Sequence, residues 1–158
     1  MAQVKLVNYE EASPEVRAVF DDIMATRKTD YINNIWRALA VHPPLLKRFW
    51  GQMKEVMVAP SRLDPLTKEL LYLAVSVTNN CEYCINSHTF AARKHGMDDA
   101  MLAEFNEIVA LANAGNRLTM GLQVEMDERF KPKHADKPWS VRRTANTLKT
   151  RTVRSRNK

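Results

Sequence analysis

Apolar residues recur at every third or fourth position along most of the chain, as they do on one face of an α-helix. The alternation of apolar and polar residues that marks a half-buried strand is hard to find. We therefore predict an all-α fold, a single-domain helical bundle. The first helix begins after Ser13, which can cap it, has Pro14 in its first turn and ends near Thr26. Its apolar face consists of Val16, Val19, Phe20 and Ile23.

Two further apolar patterns follow and meet at a pair of prolines. The segment from Ile32 to Val41 predicts a helix whose buried stripe is Ile35, Trp36 and Leu39. Pro43 and Pro44 end that helix and suit the first turn of the next one. The apolar positions of the next helix are Leu45, Leu46, Phe49, Trp50, Met53, Val56 and Met57. Their spacing predicts the core or a subunit interface rather than a cofactor pocket or substrate channel.

The centre of the chain predicts an antiparallel helical hairpin. Asp64 and Pro65 repeat the cap-and-proline signature and begin a helix that ends near Asn80. The second helix begins at about Cys81 and runs to His95, after which Gly96 supplies the left-handed residue that ends many helices. Because only a short turn separates the two helices, we expect them to pack side by side.

Two more helices are predicted after the hairpin. Asp98 can cap the first of them, which ends at Gly115, and the second runs from Leu118 to about Phe130. The apolar face of the first consists of Met101, Leu102, Phe105, Ile108, Val109 and Leu111.

The charge pattern divides the chain into a helical domain, residues 1–130, and a basic tail, residues 131–158. The net charge is +6, but the domain is mildly acidic and the tail has many lysines and arginines against one acidic residue, Asp136. Such a tail can bind nucleic acid or an acidic partner by charge alone. Its single aromatic residue is Trp139 and no binding module is recognisable, so we predict a flexible, solvated arm and no nucleic-acid partner.

Neither a membrane span nor a secretory signal is predicted. The longest nearly apolar stretch, Leu70 to Val77, is much shorter than the ~20 residues that a span needs. Residues 1–12 contain Lys5, Glu10 and Glu11 in place of an apolar run. These features predict a cytoplasmic protein in a reducing compartment. The cysteines of the chain are therefore expected to be redox-active or metal-binding rather than a permanent disulfide.

Both cysteines lie in one short segment that a histidine follows. On a helix Cys81, Cys84 and His88 would form one stripe, with the sulfurs close enough to bond. Cys81 lies near the helix N-terminus, where the dipole favours a thiolate. Along their helices, Glu69 lies about 16 Å before the turn and His88 about 12 Å after it. Antiparallel packing therefore places the two side chains beside each other. Glu69, His88 and Cys84 would then form a proton relay, directly or through a water molecule.

The spacing alone also fits other kinds of site. Cys81, Cys84, His88 and Glu69 could together bind zinc, although no second CxxC or HxxxH pair is present. Buried cysteines also serve as small apolar residues, and a helical histidine is often only hydrogen-bonded. His95 lies on the same stripe and could extend the relay, but we favour a cap at the helix C-terminus.

The joint pattern consists of Glu69, eleven residues, Cys81-Glu82-Tyr83-Cys84, three residues, His88 and then Gly96. It resembles the alkylhydroperoxidase-D-like branch of the carboxymuconolactone decarboxylase superfamily, most strongly from about Asp64 to Gly115. The decarboxylase branch is similar in fold but lacks the paired cysteines, so their presence indicates thiol chemistry. The resemblance implies an all-α subunit that assembles into trimers or hexamers.

The resemblance also implies a role for each site residue. Cys84 would be the thiolate that attacks the peroxide, Cys81 the resolving thiol, and Glu69 with His88 the proton relay. No metal, flavin or other cofactor is implied. A dithiol reductant, which is a lipoyl group in the best-known members of the family, would reopen the disulfide. Some members have a second histidine at the position of Tyr83.

The sequence therefore predicts a thiol-dependent hydroperoxide reductase that cycles its CxxC pair between dithiol and disulfide. Two alternatives stay open. One is a thiol-disulfide oxidoreductase with little peroxidase activity. The other is a non-enzymatic oligomeric binding or stress-response module in which the hairpin is structural.

Overall fold

The computed structural model describes residues 2–131, and within that range it contains helices but no strands. The α-helices in that range are α1 (Pro14–Arg27), α2 (Asn34–Leu39), α3 (Pro43–Met53), α4 (Pro65–Thr78), α5 (Glu82–Lys94) and α6 (Asp99–Gly121). A π-helical turn, Lys54–Val58, continues α3, and a 3₁₀ turn, Glu128–Phe130, follows α6. The predicted all-α fold is confirmed. The predicted basic tail lies outside the described residues except for Lys131.

The chain separates into two compact units, Met1–Asn116 and Arg117–Lys158. The first unit contains α1 to α5 and most of α6, and every candidate site residue belongs to it. Of the second unit the structure describes residues 117–131, which hold the last residues of α6 and the 3₁₀ turn. The predicted boundary near residue 130 stays a prediction.

The predicted helix caps are formed by the side chains that the sequence indicated. The Ser13 hydroxyl accepts a hydrogen bond from the Val16 backbone N–H at 3.3 Å, and the Asp64 carboxylate accepts one from the Thr67 N–H at 3.0 Å. Asp98 likewise accepts from the Met101 N–H at 2.8 Å. Each bond satisfies a backbone donor that the first turn of a helix leaves unpaired.

The hydrophobic core of the first unit lies among α1, α2 and α3. The whole predicted face of α1 is buried and packs with Trp36, Leu46 and Trp50. The rings of Trp36 and Trp50 meet edge to face with centroids 5.3 Å apart. Full burial of a large apolar side chain contributes about 1.5–3 kcal/mol. Apolar burial therefore holds the three N-terminal helices together.

Two residues of the predicted apolar faces are exposed in the structure. Ile35 was expected in the buried stripe of α2 but is 38% exposed. Because α2 has only six residues, it presents little more than one side chain, Trp36, to the core. Val56 lies on the apolar face that was predicted to form the core or a subunit interface, and it is 63% exposed. The π-helical turn has a wider hydrogen-bond ring and rotates Val56 away from the core, so the subunit interface stays a prediction.

The predicted end of the sixth helix at Gly115 is wrong. Helix α6 runs without a break from Asp99 to Gly121, and the residues from 122 to 127 are not helical. A glycine inside a helix costs only about 1 kcal/mol relative to alanine, which good helix formers on both sides outweigh. A glycine ends a helix when it adopts a positive φ, as Gly96 does at 99°.

We expect Asp22 to stabilise the fold in a pH-dependent way. Its carboxylate accepts hydrogen bonds from Trp50 Nε1 and Lys54 Nζ, both at 2.6 Å, and the pKa of Asp22 is lowered first by Lys54 and then by Trp50. A carboxyl with a lowered pKa stabilises the fold above its unfolded value of ~3.9, and that contribution is lost as the pH falls through its folded pKa. Because the Asp22 side chain is 41% exposed and solvent screens its charge, we expect Asp22→Ala to reduce the free energy of unfolding by only about 0.5–1 kcal/mol at neutral pH.

The measurement is urea unfolding of both proteins at pH 7 and pH 3, at one protein concentration. The difference between Asp22→Ala and the wild type should shrink at pH 3. Asp30→Asn, which removes a carboxylate from an exposed position, serves as the control. An equal difference at both pH values would show that the ionised form of Asp22 contributes nothing.

Candidate active site

Helices α4 and α5 form the predicted hairpin, and backbone hydrogen bonds hold the turn between them. Asn80 adopts a left-handed φ of 54°, a conformation that asparagine adopts more readily than most residues. The Cys81 N–H donates to the Ser76 carbonyl at 3.0 Å, and the buried Ser76 hydroxyl donates to the Tyr72 carbonyl at 2.8 Å. This turn fixes the register in which the two helices face each other.

The register places Glu69 of α4 against His88 of α5. His88 Nδ1 and Glu69 Oε2 are 2.6 Å apart, and the two side chains are only 16% and 14% exposed. A carboxylate accepts hydrogen bonds but does not donate them, so Nδ1 carries the proton in this contact. In a neutral imidazole, Nε2 is then free to accept a proton. The contact predicted from the two helix lengths is confirmed.

The two thiols lie at the start of α5 in different electrostatic environments. Both are free and partly buried. The pKa of Cys81 is lowered, first by the thiol of Cys84 and then by the Cys84 backbone N–H. Cys81 is the N-cap residue of α5, so this N–H belongs to the first turn of the helix, whose amide groups have no partner within the helix. Burial, followed by the neighbouring Cys81 thiol, raises the pKa of Cys84 to about 11.

These opposite shifts describe one pair rather than two independent thiols. Once one sulfur is ionised, the second proton is held more tightly, because a second negative charge would lie beside the first. In the resting arrangement Cys81 therefore loses its proton more readily than Cys84. The sequence resemblance assigns the attacking thiolate to Cys84 instead. Which of the two thiols attacks therefore stays a prediction.

The relay predicted from the sequence is only partly formed. Glu69 and His88 are hydrogen-bonded. Within residues 2–131, no hydrogen bond joins His88 to either cysteine. The link between the imidazole and the Cys84 thiol therefore stays a prediction. His95 is the exposed C-cap residue of α5, as the sequence favoured.

Tyr72 is a member of the site that sequence reasoning missed. Its ring stacks on the imidazole of His88, with centroids 3.7 Å apart and planes inclined by 21°. The pKa of Tyr72 is raised, first by burial and then by the negative charges of Cys84, Cys81 and Glu69. A sequence signal was available, because Tyr72 follows Glu69 by three residues and so shares its face of α4.

Arg27 and Tyr83 connect the site to the N-terminal helices. The Tyr83 hydroxyl accepts a hydrogen bond from the Ile35 backbone N–H at 3.2 Å. The Arg27 guanidinium lies over the rings of Trp36 and Trp50, 5.4 and 5.6 Å from their centroids. Burial lowers the pKa of Arg27, and the nearby negative charge of Glu69 opposes that shift. Part of the Arg27 side chain is nevertheless open to solvent. Glu69 thus has a cation in its surroundings that helical spacing could not predict.

An open cleft beside the hairpin, about 540 Å³ in volume, is not lined by either thiol. It lies between the start of α2 and a different face of α5, and the α5 residues that line it are Glu82, Tyr83, Asn86, Ser87 and Phe90. In the described range, no three histidine, cysteine or acidic side chains are arranged to hold a metal ion. No helix there is long and apolar enough to cross a membrane.

Comparison with known proteins identifies the family. Residues 44–124 match the carboxymuconolactone decarboxylase family, a stretch that contains α3, α4, α5 and α6 except for the first residue of α3. The chain therefore belongs to the carboxymuconolactone decarboxylase family. Within that family it is a member of the alkylhydroperoxidase-D-like branch, because its sequence and fold match a solved alkylhydroperoxidase core structure.

A solved structure, the alkylhydroperoxidase AhpD core from Rhodospirillum rubrum, is 54% identical to this chain and superposes with a TM-score of 0.80. The match covers 82% of this chain and 97% of that one. A curated relative, uncharacterized protein 4 in the cox locus of Paracoccus denitrificans, is 32% identical over 63 residues. That alignment spans 57% of the relative's length and 40% of this chain.

Proposed function

We propose that the chain is a thiol-dependent hydroperoxide reductase, an antioxidant peroxidase that cycles Cys81 and Cys84 between dithiol and disulfide. The observation that carries the proposal is the 2.6 Å contact between Glu69 and His88 on the hairpin that also holds the free CxxC pair. A partly buried carboxylate-imidazole pair near thiols is suited to moving protons to and from sulfur. The name of the similar R. rubrum protein, alkylhydroperoxidase, supports the same activity.

The proposed reaction begins at Cys84. Its thiolate attacks one oxygen of the peroxide, the O–O bond breaks, and the products are a Cys84 sulfenic acid and an alkoxide or hydroxide, which takes up a proton and leaves. The thiolate of Cys81 then attacks the Cys84 sulfur and expels hydroxide, which becomes water and leaves a disulfide. A dithiol reductant, possessing two thiols such as those of a reduced lipoyl group, exchanges with the disulfide and restores both cysteines. The two electrons that reduce the peroxide thus come from the dithiol.

Glu69 and His88 act on the protons in this cycle. With Nδ1 bound to Glu69, the imidazole can accept a thiol proton at Nε2 and return it to the leaving oxygen. Glu69 stabilises the imidazolium that forms in between. The cycle needs a reducing, cytoplasmic setting to keep a supply of dithiol, and it needs no metal or flavin.

The proposal is tested by rapid mixing of the pre-reduced protein with an alkyl hydroperoxide. We expect stoichiometric loss of peroxide, and mass spectrometry of the product should show a disulfide between Cys81 and Cys84. Addition of reduced lipoamide should then make the reaction catalytic. Thiols that stay reduced in excess peroxide would reject the peroxidase.

The lowered pKa of Cys81 specifically favours a second candidate, a thiol-disulfide oxidoreductase with little peroxidase activity. A more acidic first cysteine at a helix start is typical of CxxC proteins that exchange disulfides. Incubating the reduced protein with a disulfide substrate, without peroxide, separates the two functions. Faster exchange than peroxide reduction would favour this candidate.

The proposal includes assembly into a homo-oligomer, a trimer or a hexamer. Two helices of the first unit expose apolar side chains at helical spacing, Leu71 and Val75 on α4 and Ile108 and Leu111 on α6, each at least 54% exposed. Apolar faces that water covers in a single chain commonly mark contacts between subunits.

We expect native mass spectrometry to show a trimer or a hexamer, and the double variant Ile108→Glu, Leu111→Glu to dissociate into smaller species. Two buried carboxylates in an apolar contact would be strongly unfavourable. Glu107→Gln, an exposed change on the same helix, is the control. A wild type that is monomeric at micromolar concentration would reject the assembly.

A further inference from the structure

We propose that Tyr72 is a positioning residue whose ring holds the imidazole of His88 in the plane that binds Glu69 at Nδ1 and leaves Nε2 available to the thiol pair. The inference rests on the proposed function, in which His88 carries protons to and from sulfur. It adds a residue that acts through another side chain, the imidazole of His88.

Two restraints act on the imidazole, and each fixes a different motion. The 2.6 Å contact with Glu69 fixes the direction in which Nδ1 points, but small coupled changes of χ1 and χ2 can still turn the ring out of its plane. The Tyr72 ring, 3.7 Å away and inclined by 21°, covers one face of the imidazole and opposes that turn. The position of Nε2 is therefore defined only when both restraints are present.

Both restraints come from a rigid part of α4. Glu69 and Tyr72 lie three residues apart, so they point in nearly the same direction from the helix. Leu73, which follows Tyr72, is 1% exposed, and Ser76 is 3% exposed. The Ser76 hydroxyl donates to the Tyr72 carbonyl at 2.8 Å. A stacking ring on such an anchored turn can hold its partner in place better than one on a loop.

The ring face of Tyr72, and not its hydroxyl, makes the contact with His88. Phenylalanine offers the same face, whereas leucine and methionine do not. The titratable groups that act on Tyr72 are Glu69 on α4 and the two thiols on α5, and Arg27 at the end of α1 lies near Glu69. Neither Tyr72→Phe nor Tyr72→Leu changes any of these charges, so a difference between the two variants reports the stack.

The direct test is nuclear magnetic resonance of His88, assigned by loss of its signals in His88→Asn. In the wild type we expect the Nδ1-protonated tautomer and a ring-current shift of the imidazole protons. Tyr72→Phe should keep both signatures, and Tyr72→Leu should lose the shift and show mixed tautomers. Phe90→Leu removes an aromatic ring from an exposed position of α5, and it should change neither the ring-current shift nor the tautomer of His88.

A wild-type His88 without a ring-current shift would overturn the proposal, and so would a Tyr72→Leu variant that keeps the wild-type tautomer. If Tyr72→Leu loses its helical circular dichroism, Tyr72→Met replaces it, because a flexible side chain fills irregular space well. If neither variant folds, the spectra of the wild type and of Tyr72→Phe test the proposal, because both should show the ring-current shift and the Nδ1-protonated tautomer.

Steady-state kinetics with a hydroperoxide provide a second test. We expect Tyr72→Leu to lower kcat for hydroperoxide by about tenfold with little change in KM, because a misplaced proton carrier slows the chemical step. Tyr72→Phe should stay within about twofold of the wild type, since it keeps the stack. The resonance test does not need peroxide turnover. A wild type with the expected spectrum but no peroxidase activity would therefore reject the proposed function and leave the positioning of His88 intact.

Discussion

Replacing Cys84 by serine is expected to abolish peroxide reduction, lowering the rate by about 10³-fold or more, as loss of a nucleophile does. A serine hydroxyl neither ionises near neutral pH nor forms a sulfenic acid. Replacing Cys81 should allow one slow turnover, because Cys84 can still attack but the resolving thiol is gone. The lone Cys84 should also react slowly, since burial is the first cause of its raised pKa.

The measurement combines rapid-mixing kinetics with trapping of sulfenic acid by dimedone. In Cys81→Ser we expect a dimedone adduct on Cys84, and in Cys84→Ser no adduct. The order of the thiol pKa values makes the opposite result informative. An adduct on Cys81 in the Cys84→Ser protein would show that the more acidic thiol attacks and that the two roles are exchanged.

The order of the two pKa values shows what a sequence can and cannot specify. The CxxC spacing and the helix position of Cys81 were visible in the sequence, and its pKa is lowered first by the Cys84 thiol and then by the Cys84 backbone N–H in the first turn. The raised pKa of Cys84 depends first on burial. Burial is set by side chains that arrive from other elements of the fold, and helical spacing within α5 does not contain that information.

The helix ends were predictable from the sequence where neighbouring residues alone determine them. Caps at Ser13, Asp64 and Asp98 and the positive φ of Gly96 depend on neighbouring residues alone, and all four were predicted. The contact between Glu69 and His88 was also predictable, because a short turn fixes the register of two helices.

Features that depend on a balance between distant contributions were missed. The glycine at 115 could end a helix or lie inside one, and the cost of about 1 kcal/mol is too small for local sequence to decide. Tyr72 carried a usable signal in its spacing from Glu69, but stacking on His88 also requires the correct rotation of both helices. Arg27 reaches the site from α1, and no periodicity within the hairpin indicates it.

Glu69→Gln is expected to reduce kcat by about 10²–10³-fold while changing KM little, since the loss of general acid-base catalysis acts on the chemical step. Glutamine has nearly the same shape and can still bond to the imidazole. It lacks the negative charge that stabilises an imidazolium, and its amide can donate to Nδ1 and so favour the wrong tautomer. The effect should therefore come from charge and tautomer rather than from lost packing.

The matched control is Glu82→Gln, the same change at an exposed position of α5 beside the cysteines. Steady-state kinetics with an alkyl hydroperoxide and a dithiol should place this variant within about threefold of the wild type, as expected for a charge outside the relay. Circular dichroism of both variants tests that the hairpin still forms. If Glu69→Gln retained the wild-type kcat, the Glu69-His88 contact would be structural. Proton transfer would then have to run from thiol to thiol or through solvent, and the two cysteines alone would account for the chemistry.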